Sequence, residues 1–311
     1  MITPADDDDA TAREDAKRLQ CMEVWGGNRF VSTTLAMPGL DVFIYSLPHD
    51  GEQSVGGGDV HYVSSCAAGV ISRLMVADVA GHGADVADIA RRLRKLMQRH
   101  VNHHQQTGIV KALNREFAAL AQSGRFATAV AFSYEGPSER VLVCNAGHPT
   151  PFIYRARSRS WEPLAEQDTA AAARTSDNIP LGVIETIEYE QFGSKMQTGD
   201  VVLCYTDALT EARRADGTML QTEGALELVR SLDVSRADQI IPSLLAALRG
   251  RAGAGGCTTD DDLTLLVFRA NGSRPRVPLS AHVMAPIRVI CSLVKAIIPS
   301  RGDVTPSAHP A

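Results

Sequence analysis

Four aspartates in this chain sit at or beside the ends of strand-length apolar runs, each next to glycine or another turn-compatible residue. They are Asp59 in Val55-Gly56-Gly57-Gly58-Asp59, Asp78 in Leu74-Met75-Val76-Ala77-Asp78, Asp207 in Val202-Leu203-Cys204-Tyr205-Thr206-Asp207, and Asp261 in Thr259-Asp260-Asp261-Asp262-Leu263. Hard divalent cations take oxygen ligands and keep several waters, so a few carboxylates placed by rigid elements can hold them. Brought together without a cation, the same groups repel and raise one another's pKa values. Their convergence in a fold therefore implies metal, and two ions about 3.5 to 4 Å apart would activate a water for attack on phosphorus. Each aspartate taken singly has a plainer reading. Asp207 ahead of Ala208-Leu209-Thr210-Glu211, and Asp85 ahead of an arginine-rich helix, both suit an N-cap.

Around these positions the chain alternates clusters of strands with clusters of helices. Period-two apolar runs predict strands at Asp41 to Leu47, His61 to Cys66, Val70 to Ala77, Ala127 to Ser133, Arg140 to Cys144, Thr186 to Phe192, Val201 to Tyr205 and Leu263 to Arg269. Helical spacing of Val86, Ile89, Ala90, Leu93, Leu96 and Met97 predicts an amphipathic helix over Asp85 to Val101. Further helices are expected near Gly108 to Ala121, Glu223 to Leu232 and Arg236 to Leu248. Arg155 to Asn178 lacks a clear period and reads as an excursion between strands. Grouped rather than strictly alternating elements favour an α+β fold.

The strong motifs occupy one stretch, so residues 41–270 read as one catalytic domain. Residues 1–20, with four consecutive aspartates, read as a disordered acidic tail. Residues 21–40 read as an extension packing on or leading into the domain, with Trp25 before Gly26-Gly27-Asn28. Residues 271–311 read as a tail whose Val283, Ile287, Ile290, Val294 and Ile297 mark an amphipathic helix at about 280–298, suited to docking, a partner helix or a dimer contact. Thirty-one Lys and Arg against 36 Asp and Glu leave a net charge of −5, which argues against nucleic acid and against a polybasic membrane patch. Six scattered cysteines without a C-x-x-C pair, and an acidic start, point to a cytoplasmic protein with reduced thiols.

Five motifs in fixed order raise the aspartates above their single readings. Gly57-Gly58-Asp59, Asp78-Val79-Ala80-Gly81-His82-Gly83, Asn145-Ala146-Gly147-His148-Pro149, Tyr205-Thr206-Asp207-Ala208 and Asp261-Asp262-Leu263-Thr264-Leu265 resemble those of the PPM (type 2C) metal-dependent serine/threonine phosphatases, in their bacterial SpoIIE/RsbU-like branch. The resemblance implies a sandwich of two antiparallel sheets flanked by helices, α-β-β-α. It implies two divalent cations, Mn or Mg, held by Asp59, Asp78, Asp207, Asp261 and the backbone carbonyl of Val79, with Asp78 bridging both. It also implies hydrolysis of phosphoserine or phosphothreonine on a partner protein, in this branch often an anti-sigma factor antagonist, under control of the helices near the site. The alternative is a catalytically weak relative that binds or scaffolds a phosphoprotein.

Two departures stand out: Ala208 replaces the usual glycine, and His61-Tyr62 follows Asp59 where many relatives carry another aspartate. Ala208 requires a backbone that avoids positive φ. His82, between two glycines, is a candidate proton donor to the leaving oxygen. Asp262 and His148 are candidates for orienting ligands or loops from behind. His100, His103 and His104 invite a zinc reading, but their polar setting reads as a solvated helix end.

Overall fold

The computed structural model describes residues 17–18, 24–66, 70–81, 83–101, 103, 105–120, 124–165, 179–250 and 256–273. All of them fall in one unit, Met1–Pro275; the second unit, Arg276–Ala311, contains none. The expected helix at 280–298, most of the acidic tail and His82 thus lie outside the described residues.

Thirteen strands form two sheets among the described residues: β1 (Lys17–Arg18), β2 (Val24–Gly27), β3 (Val31–Met37), β4 (Leu40–Leu47), β5 (Asp59–Cys66), β6 (Ile71–Val79), β7 (Ala127–Glu135), β8 (Arg140–Ala146), β9 (Phe152–Arg155), β10 (Ser160–Pro163), β11 (Phe192–Lys195), β12 (Val201–Tyr205) and β13 (Leu263–Ala270). One sheet runs β1-β3-β4-β13-β12-β9-β10 and the other β11-β8-β7-β6-β5-β2. Apart from the short parallel pairing of β1 with β3, every ladder is antiparallel. The helices are α1 (Ala84–His100), α2 (Gln106–Leu120), α3 (Ala208–Glu211), α4 (Gln221–Arg230) and α5 (Ile240–Arg249).

The central strands read as near-continuous apolar runs because both of their faces are covered. In β6, Leu74 and Val76 join the core between the sheets, whereas Met75, Ala77 and Val79 face α1 and α2 through Val86, Leu93, Leu113 and Phe117. In β13, Leu266 and Phe268 face the inter-sheet core, whereas Leu265 and Val267 pack against Leu209, Val229, Ile240 and Leu244 of the second helical layer. Three apolar interfaces thus separate four layers, α-β-β-α, giving the α+β sandwich that the motif resemblance implies. Among the described residues no helix is long and apolar enough to cross a membrane, and Cys144 and Cys204 are buried free thiols.

The strands begin earlier than the periodicity suggested. β2 pairs with β5 and β3 with β4, so residues 24–27 and 31–37 belong to the sheets. Ser32, Thr33 and Thr34 mask the alternation of β3. The glycine pair that resembles a turn is a strand paired with β5, and glycine is needed there because a Cβ on Gly26 would lie 2.6 Å from the His61 carbonyl oxygen. Part of the expected excursion is a hairpin, β9–β10, whose Trp161 is buried; residues 166–178 lie outside the described residues. Thr186 to Ile187 and on to Gln191 is irregular rather than a strand, although Tyr189 is buried, and pairing starts only at Phe192. Asp85 is not the cap of α1. Gly83 holds that position, and Asp85 sits in the first turn, where its charge suits the helix dipole.

Phe132 and Phe268 meet edge to face across the inter-sheet core, with centroids 5.2 Å apart. Phe268→Ala is expected to cost about 3 to 5 kcal/mol, read from urea unfolding curves.

Candidate metal centre

Strand register delivers the first two carboxylates. Asp59 opens β5 and Asp78 lies near the end of β6, and the two are directly paired in the ladder. Alternation along β6 puts Asp78 on the inter-sheet face with Leu74 and Val76. The opposite sheet contributes from β12 and β13. Thr206, fully buried beyond the end of β12, donates its hydroxyl to Asp59 Oδ2 at 2.9 Å and accepts the backbone N–H of Thr264 at 2.9 Å. Thr264 shares a hydrogen bond with Ser46, Oγ1 to Oγ, at 2.9 Å. A polar layer thereby closes one end of the apolar inter-sheet core.

Asp207 stands at the N-cap position of α3 without a side-chain capping bond. Ala208, the replacement for glycine, opens α3 and does not adopt a left-handed conformation, so the alanine is accommodated. Asp261 is exposed, and its Oδ1 accepts the backbone N–H of Asp262 at 2.8 Å.

The carboxylates lie within one another's field. Burial pushes Asp78 up to about 8, aided by Asp207, Asp261, Asp262 and Glu211. Burial, then Glu211 and Asp261, raise Asp207 to about 6. Asp59 is raised well above its ordinary value by burial and by Asp78. The structure therefore brings all four sequence-derived aspartates to one end of the sandwich and adds Glu211, which the motifs did not mark. Among the described residues no three carboxylate, imidazole or thiolate groups stand close enough together, as placed, to hold a metal ion. The donors are hard oxygens, and the buried Asp59 Oδ1 has no hydrogen-bond partner. Both properties fit a divalent cation of the Mg or Mn kind.

The loop carrying Asp59 is held from three sides. Asp262 accepts the backbone N–H of His49 at 2.6 Å and that of Gly58 at 2.5 Å. Glycine is required here: a Cβ on Gly57 would lie 2.3 Å from Asp262 Oδ2, and one on Gly58 would lie 2.8 Å from the Val79 carbonyl oxygen. That carbonyl thus stays uncovered from the Gly58 side. Buried Asn28, whose importance the sequence did not reveal, donates its side-chain amide to the carbonyls of Gly57 and Ala87, each at 3.1 Å, and its backbone carbonyl accepts the Gly57 N–H at 2.8 Å.

His148 is buried, and its Nδ1 pairs with Thr128 Oγ1 at 2.9 Å; Thr128 is the β7 neighbour of Asp78. Burial lowers His148 to about 3, so it is a neutral hydrogen-bonding group. Asn145 braces its backbone, accepting the His148 N–H at 2.8 Å. His61 is buried and lowered to about 4 by burial and by Arg94, while Tyr62 fills the helix-facing core. His100 pairs through Nε2 with Glu116 Oε1 at 2.6 Å, half-buried rather than on a solvated face. His104, like His82, lies outside the described residues.

A two-sheet sandwich with carboxylates at its strand ends is the architecture of PP2C domains, and comparisons with known proteins agree. The chain matches a solved structure of the RsbU and RsbW domains of Rv1364c from Mycobacterium tuberculosis with TM-score 0.62 at 23% identity, covering 86% of this chain and 72% of that one. It matches the SiaA-PP2C domain of Pseudomonas aeruginosa with TM-score 0.59 at 17% identity, covering 73% and 84%. A relative named phosphoserine phosphatase RsbU, from Bacillus subtilis (strain 168), is 23% identical over 235 residues, 74% of this chain; the match spans only 63% of the length of that relative. The family model for stage II sporulation protein E (SpoIIE) matches residues 72–271, and the chain belongs to that family.

The raised carboxylates fix a pH dependence. In metal-free protein the folded state holds protons on Asp78 and Asp207 that the unfolded chain releases near 3.8, so stability falls as pH rises toward about 8. In EDTA the thermal midpoint is expected to drop between about pH 5 and about pH 8, each titrating group contributing at most about 1.4 kcal/mol per pH unit. Asp78→Asn should flatten that slope, and manganese should remove most of it.

Proposed function

We propose that this protein hydrolyses phosphoserine or phosphothreonine on a partner protein, using two divalent cations, Mn or Mg, held by Asp59, Asp78, Asp207, Asp261 and the Val79 carbonyl. The observation that carries this reading is the cross-strand pair of buried Asp59 and half-buried Asp78, the latter set in the field of Asp207 and Asp261. When bound, such cations lower the pKa of a nucleophilic water and neutralise charge on the phosphoryl oxygens. The name phosphoserine phosphatase borne by the RsbU relative supports the reaction class.

The protein's own groups divide the remaining work. Thr206 orients Asp59 by its hydroxyl, so one oxygen of that carboxylate is fixed and the other left for a ligand. Asp262 ties the Gly58 loop to β13 and so sets the distance between the two halves of the cluster. Thr128 and His148 form a neutral hydrogen-bonded pair beside Asp78, which adds no charge to an already anionic site. His82 remains the proposed donor of a proton to the departing serine or threonine oxygen. A cytoplasmic setting and an anti-sigma factor antagonist as substrate complete the proposal, the latter from the SpoIIE/RsbU-like branch to which the motifs point.

Hydrolysis of p-nitrophenyl phosphate with manganese tests this directly. Asp78→Asn and Asp207→Asn are each expected to lower kcat by roughly a hundredfold or more, as loss of a metal-supported electrostatic contribution does. Full activity in both variants would overturn the site. Tight manganese binding by the unmodified protein without turnover would favour a phosphoprotein-binding role. Removing the brace behind the cluster should act differently: Asp262→Ala is expected to weaken manganese affinity by roughly 10- to 100-fold, measured by isothermal titration calorimetry.

A further inference from the structure

Next to the cluster, the β6–β7 ladder continues past its last paired residues. Asp78 is opposite Thr128 and Val79 opposite Ala127; beyond them the Ala80 N–H donates to the Phe126 carbonyl at 3.0 Å. Arg125 therefore stands across from Gly81. A methyl placed on Gly81 would lie 3.8 Å from Arg125 Nη1, so the guanidinium reaches over the loop that leaves Asp78 and Val79. Other arginines of the chain are engaged: Arg94 donates to the Gly26 carbonyl, Arg213 to that of Gly217 and Arg214 to that of Met219. Arg125 is half-buried and makes no hydrogen bond or ion pair to another described residue.

The surface beside it is apolar and rigidly held. An antiparallel bridge joins Ala127 to Leu181, with hydrogen bonds of 3.0 and 2.7 Å, which brings the Gly182 to Ile184 turn alongside Arg125 and Phe126. Asn114 of α2 fixes that turn, accepting the Gly182 N–H at 2.8 Å and donating to the Ile184 carbonyl at 2.8 Å. Phe126, Val183 and Ile184 are nonetheless 40%, 55% and 45% exposed. Large apolar side chains held out to water by a fixed loop mark a contact surface. A guanidinium at its inner margin selects an anion, and a planar fork suits phosphate oxygens.

We propose that Arg125 positions the phosphoryl group at the mouth of the carboxylate cluster, and that Phe126, Val183 and Ile184 seat apolar residues flanking the phosphorylated side chain of a partner protein. This rests on the phosphatase reading, and it adds a specificity-determining surface to it. Beside carboxylates whose charge bound cations balance, an arginine without a partner among the described residues adds attraction for a phosphoryl dianion. Free phosphate would need only the arginine, whereas a protein segment uses both features.

The test uses the full chain loaded with manganese. Binding of inorganic phosphate is measured by isothermal titration calorimetry, and hydrolysis is followed with p-nitrophenyl phosphate and with a phosphoserine peptide carrying leucine on both sides. Arg125→Ala is expected to weaken phosphate binding and raise KM for both substrates by roughly tenfold, the loss of one charge-assisted interaction, with kcat changed by less than about threefold. Arg125→Lys should recover part of the loss. Phe126→Ser should raise KM for the peptide alone. Unchanged phosphate affinity in an Arg125→Ala variant that keeps its thermal midpoint and manganese affinity would overturn the proposal while leaving the phosphatase reading intact; should that variant not fold, the same comparison with Arg125→Gln decides. Phosphate bound through Arg125 with no hydrolysis by the unmodified protein would overturn the phosphatase reading and leave the arginine assignment standing. A peptide KM unmoved by Phe126→Ser would overturn the apolar half.

Discussion

Two carboxylates occupy directly opposed positions on adjacent antiparallel strands, inside a sandwich. Like charges so placed are destabilising even on a solvated sheet, and burial magnifies the repulsion. Much of the surrounding structure answers that one constraint. Asp59 and Asp78 are set where the inter-sheet apolar layer stops, so their neighbours are Thr206, Thr264, Thr128 and Ser46 rather than leucine and valine. Thr206 reaches across from the opposite sheet to one oxygen of Asp59, and Asp262 uses both of its oxygens on backbone N–H groups, so it fixes a loop instead of competing for a ligand position. The raised affinity of Asp59 for protons, from burial first and from Asp78 next, is the signature of the same conflict.

What could be read from the chain follows from how local each signal is. The apolar runs ending in aspartate were legible because strand periodicity, turn chemistry and carboxylate all fall within about ten residues, and the five ordered motifs supplied the fold through resemblance. The α-β-β-α layering was legible for the same reason, since strands apolar on both faces demand cover on both sides. Asn28 was not legible. Its partners are 29 and 59 residues away, and nothing in Gly26-Gly27-Asn28 announces that an amide will be buried between a loop and a helix. Glu211 was missed because its role in the cluster depends on one turn of α3 rather than on a motif. The polar run in β3 and the glycines of β2 misdirected the reading in another way. Local propensity argued for a turn, and tertiary pairing overrode it.

The helical layers are unequal in what they do for the site. The layer of α1 and α2 abuts it: α1 begins four residues after Ala80 and receives the Asn28 amide at Ala87, while α2 fixes the Gly182 turn through Asn114. The layer of α4 and α5 packs on the far face of the other sheet, through Val229, Ile240 and Leu244, and contributes mainly burial. Among the described residues the short α3 links that layer to the carboxylates, by carrying Asp207 at its start and Glu211 at its end.

The placement of Asn28 bears on how the protein can be cut. A fragment started at Asp41, where the strand periodicity first becomes plain, would keep every aspartate, glycine and histidine of the five motifs. It would also lack β2 and β3, leaving β5 and β4 as bare sheet edges, and β5 is the strand that begins with Asp59. The carbonyls of Gly57 and Ala87 would each lose the amide that joins them. Such a piece would carry the complete chemical inventory of the site on a frame open at both margins, so the smallest working unit of this fold is set by its edge strands and not by its motifs.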